Sequence, residues 1–185
     1  MLISKRFLDA ILAQYRLPPE GIHGVAHWAR VAENGRRLAE VTGAHKDTVT
    51  LFAYLHDACR ETLEWDPLRG VRAADLARRW RGTYFDLPPH EFDLLYLACA
   101  RQSDGLLEAD ITLQTCWDAD RLEIGRVGMM IIPGRLCTEA ARDPDLMDWA
   151  DRRARHNVIP PWITTIWTPP ALPPPSNIET APAVP

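Results

Sequence analysis

Apolar residues recur at helical spacing along most of the chain. From Ser4, the positions Phe7, Leu8, Ile11, Leu12 and Tyr15 share one face, which predicts a first helix that "LPPEG" breaks. A second helix is expected from Val25 to Val41, with Val25, Trp28, Val31, Ala32, Leu38 and Ala39 inward and Gly43 just past its end. Asp47 is placed to cap a third helix through "TVTLFAYLHD", and the almost wholly apolar "LFAYL" predicts a central, buried position for it. "ETLEWDPLRG" reads as a loop. "VRAADLARRW" follows as a short helix with Val71, Ala74, Leu76, Ala77 and Trp80 inward. "DLPPHEFDLLYLACAR" restarts with prolines at the helix entry, where a missing backbone N–H costs little, and "SDG" ends it. "ITLQTCWDADRLEIGRVG" and "PDLMDWADRRARH" supply the last two helices. No segment alternates with period two, so the expected fold is all-α: a single-domain helical bundle over residues 1–157.

Residues 158–185 differ in kind, with nine of the 16 prolines and a single charged residue, Glu179. Such a composition predicts an extended or disordered tail, because it can neither pair its backbone nor build a core. Trp162 and Trp167 suggest that its first part, "IPPWITTIW", packs back on the body, and the remainder is a candidate contact arm for a partner.

Composition narrows the functional classes. At 46% hydrophobic and 25% charged, without a long uninterrupted apolar run or a secretory leader, the chain reads as a cytoplasmic protein with no membrane partner. Cys59, Cys99, Cys116 and Cys137 lack zinc-finger spacing and are expected to be buried, reduced thiols. A net charge of -4 argues against duplex nucleic acid as a partner. The basic residues are 19 Arg and 2 Lys, however, and Arg clamps phosphates bidentately, which keeps a small phosphorylated substrate open. Homo-oligomer formation stays open as well.

The residues able to bind a cation are few. His27 lies on the edge of the apolar face of the second helix, His56 and Asp57 end the third, and Asp120 lies in "CWDADRLEIG". Hard or borderline divalent ions take imidazole nitrogens and carboxylate oxygens of this kind from facing helices. Each also has an ordinary reading: His27 as a hydrogen-bonded core histidine, Asp57 as a turn cap, Asp120 as a partner of Arg121 or Arg126. His23, four residues before His27, and Arg30, three after it, fall on one helix face and could meet a phosphate. Trp28 and Trp117 neighbour the proposed ligands and could stack on a base, although core packing is the usual use of such rings.

The order H…HD…D, with "HWARV", "LHD" after an apolar helix and "DADRL", resembles the HD-domain metal-dependent phosphohydrolase superfamily over about residues 20–130. The resemblance implies that His27, His56, Asp57 and Asp120 hold one divalent metal (Mn, Co, Ni, Fe, Zn or Mg), Asp118 being a weaker alternative to Asp120. It implies a hydrolase of small phosphate esters, most simply a nucleotide phosphohydrolase, that uses a metal-activated water. Within that reading Asp57 is catalytic, Glu61 in "DACRET" is the nearest candidate base, and Arg60 is a candidate phosphate clamp. His23, Arg30, Arg60 and Trp28 would then bind substrate. Superfamily members with two or more metals carry further histidines where this chain has Arg69 and Gln102, which implies a single metal and disfavours a di-iron oxygenase. The remaining alternative is a non-catalytic HD-like module that binds a nucleotide or a protein.

Overall fold

The computed structural model describes residues 3–169. These form seven α-helices: α1 (Lys5–Gln14), α2 (Val25–Thr42), α3 (Lys46–Leu55), α4 (Arg69–Trp80), α5 (Pro89–Arg101), α6 (Ile111–Arg121) and α7 (Pro144–Arg155). Short 3-10 turns occupy Ile124–Val127, Pro133–Arg135, Ala140–Arg142 and Pro161–Thr165. No strand occurs among the described residues, so the all-α expectation holds, and no described helix is long and apolar enough to cross a membrane.

The most apolar helix, α3, sits at the centre and packs against α2, α4, α5 and α6. Leu51, Phe52, Ala53, Tyr54 and Leu55 are all fully buried. A Leu or Phe buried this way stabilises the fold by about 1.5–3 kcal/mol. α1 closes one end by setting Phe7 edge-on to Trp80 and Phe85, with ring centroids 5.9 and 6.1 Å away. The four cysteines are free thiols, with Cys99 and Cys116 buried and Cys59 and Cys137 partly so.

Several boundaries differ from the sequence reading for identifiable reasons. α3 is capped at His45, and Asp47 lies inside its first turn, where its negative charge favours the positive end of the helix dipole. α4 begins at Arg69, so the expected loop is shorter. Val71, expected inward, is 44% exposed, and Ala73 takes its buried place beside Ala74, Leu76 and Ala77. Gly70 lets this helix start close against α5: a Cβ there would stand 2.4 Å from the Cys99 carbonyl oxygen. α6 stops at Arg121 and tightens into the 3-10 turn at Ile124–Val127. That turn brings α7 onto Gly125, where a Cβ would meet Asp151 Oδ1 at 2.3 Å.

Of the Pro-rich segment, residues up to 169 are described, and they are ordered on the body. Pro161–Thr165 forms a 3-10 turn, Ile163 is fully buried, and Trp162 Nε1 donates to Glu33 Oε1 at 3.1 Å. The packing-back of "IPPWITTIW" is thus observed, whereas its expected extended or disordered state is not. The contact arm expected further on lies outside the described residues.

Candidate metal centre

α3 carries His56 and Asp57 to the middle of the molecule and ends there, His56 closing the last turn through its N–H to the Phe52 carbonyl at 2.9 Å. A carboxylate just past a helix C-terminus meets the negative end of the dipole and needs cations or donors around it. Asp57 has them. Its Oδ1 accepts from Arg69 Nε at 3.0 Å and lies 3.5 Å from Arg60 Nη1; its Oδ2 lies 3.1 Å from His23 Nδ1. Burial alone would push this carboxyl up, but His56, the His23 bond and Arg60 outweigh it and hold it well below the usual carboxylate range.

His27 from α2 and Asp120 from α6 face His56. The two Nε2 atoms are 3.2 Å apart, and Asp120 Oδ1 stands 3.4 Å from His27 Nε2 and 3.6 Å from His56 Nε2. Asp57 Oδ2 is 3.9 Å from His56 Nε2, and His27, His56 and Asp57 each place a ligand atom within 4.8 Å of the other two. Ligands bound at about 2.1 Å around one ion sit about 3.0 to 3.4 Å from each other along right-angled or tetrahedral edges. The three contacts among the two histidines and Asp120 fall in or near that range.

The surrounding hydrogen bonds fix which nitrogens carry protons. His56 Nδ1 lies 3.0 Å from the Ala53 carbonyl, which can only accept, so Nδ1 holds a proton and the ring turns its Nε2 toward His27. His27 Nδ1 faces Glu123 Oε2 at 3.4 Å, an oxygen that already accepts from Arg30 Nε at 2.8 Å, so His27 Nε2 is a lone pair. Burial, Arg126 and His56 together hold the His27 ring well below the ordinary imidazole range, which keeps it neutral. Asp120 Oδ1 is buried and has no hydrogen-bond partner among the described residues. The two Nε2 atoms and Asp120 Oδ1 therefore converge on one point, with Arg126 Nη2 3.8 Å from that oxygen as the nearest cation. The buried cluster of His27, His56 and Asp57 could hold a metal ion.

Asp118 is a different matter. It is fully buried and accepts from Cys137 N at 2.7 Å and from Thr138 N and Oγ1 at 2.8 Å, so it caps the segment after the Pro133–Arg135 turn and has no capacity for a metal.

Not every expected substrate contact reaches the cluster. His23 does, through Asp57. Trp28 is fully buried, with Tyr15 and Tyr54 rings edge-on at 4.9 and 6.5 Å, and it belongs to the core. Trp117 is also core, its Nε1 donating to the Ala98 carbonyl at 3.0 Å. Arg30 is fully buried on Glu123 and holds the C-terminal segment through Asn157 Oδ1 at 3.0 Å and the Val158 carbonyl at 2.9 Å. Arg60 is spent on its own loop, donating to the Thr62 and Glu64 carbonyls at 2.9 and 2.6 Å, which leaves little for a phosphate. Glu61 points away: its carboxylate pairs with Arg16 at 2.7 Å and Arg72 at 3.8 Å in a separate cleft of about 270 Å³.

Sequence reasoning missed Glu123, which orients His27, and the grip of Arg69 on Asp57. A lone acidic residue inside the apolar stretch "RLEIG", three places after Asp120, was the available signal for the first. The second depends on α4 starting early enough to aim Arg69 back at the α3 terminus. Fold and site together define an all-α protein with a buried histidine–carboxylate cluster that could hold a metal ion. No family model, curated protein or solved structure matches the chain.

Proposed function

We propose that this chain is a single-metal phosphohydrolase of the HD-domain type, acting on a small phosphate ester such as a nucleotide. The observation that carries the reading is the convergence of His27 Nε2, His56 Nε2 and Asp120 Oδ1, an oxygen with no hydrogen-bond partner among the described residues, beside Asp57. His27, His56, Asp57 and Asp120 would hold the ion. When bound, it supplies Lewis acidity toward a water and a phosphate oxygen. The protein's own part is orientation: Glu123 fixes the His27 tautomer, the Ala53 carbonyl fixes that of His56, and Arg69 with His23 pins Asp57. Asp120, whose side chain is 20% exposed while those of the two histidines are fully buried, marks the side open to substrate. Arg69 on the outer oxygen of Asp57 puts a fixed positive charge where a second cation would approach, which favours one metal over a di-iron site.

The non-catalytic alternative keeps one specific observation in its favour. Glu61, the expected base, faces another cleft, and Arg60 is committed to backbone carbonyls. Hydrolysis of p-nitrophenyl phosphate and of a nucleotide panel by Mn- or Co-loaded protein separates the two. Turnover that disappears in His56→Ala supports the enzyme, and metal-loaded protein inert toward all of them refutes it.

A further inference from the structure

A cleft of about 610 Å³ adjoins the metal centre, within the size range of small-molecule sites. Arg69 lines it and holds Asp57, and Gln102 lines it and donates to the His56 carbonyl at 2.8 Å, so its floor is one side chain from two proposed ligands. Its charge is the reverse of the chain's. The chain has 25 acidic residues against 21 basic ones, yet the lining holds Arg69, Arg121 and Arg135 and no Asp or Glu. Arg135 is exposed and makes no side-chain hydrogen bond or ion pair among the described residues, which leaves it available to an anion.

The walls are apolar and open. Trp65 is 71% exposed and Met130 77% exposed, with Met129 and Ile132 beside them, a combination of flat ring and adaptable thioether that suits a planar apolar body. On the floor, Gln102 spends its Nε2 on the His56 and Cys99 carbonyls, so its Oε1 is left buried without a donor; Ser103 Oγ is also buried without a partner.

Resting on the hydrolase reading, we propose that this cleft selects the organic part of the substrate. The ligand class is an anion bearing a flat, apolar ring, the ring against Trp65 and the Met129–Met130 wall. Arg69 and Arg135 receive the anionic group. A polyol or sugar phosphate would leave the wall uncovered and bind more weakly.

The test is calorimetric titration of the full chain with adenosine monophosphate and with ribose 5-phosphate, with and without Mn. Adenosine monophosphate is expected to bind at least about tenfold more tightly. Trp65→Ala should weaken it at least about fivefold, at the lower end of what base–aromatic stacking contributes, while moving ribose 5-phosphate less than about twofold. Arg135→Ala should weaken both ligands alike. Equal affinity for the two ligands, no binding of either, or indifference to Trp65→Ala overturns the inference. Because binding is read without turnover, selective binding by a protein that hydrolyses neither ligand would uphold the cleft and refute the hydrolase. Hydrolysis without selectivity would do the opposite.

Discussion

Two arginine-bordered clefts each send one arginine to the buried Asp57. Arg60 reaches Oδ1 from one and Arg69 reaches the same oxygen from the other. In the smaller cleft Arg16 is answered by Glu61, Arg72 by Asp66 at 2.5 Å and Arg60 by the Thr62 and Glu64 carbonyls, while Arg79 shares the lining with the carboxylates of Glu61 and Asp75. In the larger one no acidic residue lines the walls, and Arg135 is unengaged. Both clefts carry arginines; the carboxylates of Glu61 and Asp75 in the smaller lining, and their absence from the larger, make the larger one the place for an anion.

Asp57 is common to both, so its loss should have the largest effect. Asp57→Ala is expected to abolish metal binding and also to destabilise the protein by about 3–5 kcal/mol, because Arg60 and Arg69 lose their shared buried carboxylate. Urea denaturation and metal content measure the two effects. If stability is unchanged, the arginines are not held as described.

Glu123→Ala comes next. It strands Arg30 unpaired in the core and frees the His27 ring, so a loss of about 3–5 kcal/mol is expected, together with metal affinity about 10–100-fold weaker. Asp120→Asn should separate binding from stability. Metal affinity falls, while the metal-free protein gains about 1 kcal/mol because an amide N–H can donate to a facing imidazole nitrogen. A thermal melt of the metal-free variant below that of wild type would contradict an acceptor nitrogen facing Asp120. The smallest effect is assigned to Glu61→Ala: stability within about 0.5 kcal/mol, as for other exposed ion pairs, and hydrolysis within about twofold. A hundredfold loss of hydrolysis would move the chemistry into the smaller cleft and reverse the comparison.

Helical periodicity made the bundle legible because burial follows the 3.6-residue repeat, and "LFAYL" marked α3 as its centre. The histidines and aspartates at helix ends were legible as a set. The roles of Arg30, Arg60, Trp28 and Glu61 were not, because sequence spacing places a residue on a face without saying what lies opposite. Arg30 shares the face expected for a substrate contact, yet the residue facing it is Glu123, which the chain delivers 93 positions later. Asp118 and Asp120, two residues apart, differ in the same way. One meets the backbone of Cys137 and Thr138, and the other meets two imidazole nitrogens and Arg126.

Titration of the purified chain with Mn, Co or Zn, read by calorimetry and elemental analysis in wild type, His56→Ala and Asp120→Asn, addresses the central claim most directly. One ion per chain is expected in wild type, with binding lost in His56→Ala and sharply weakened in Asp120→Asn. Absence of binding in wild type, or an ion retained equally by both variants, would show that the buried cluster is not a metal centre.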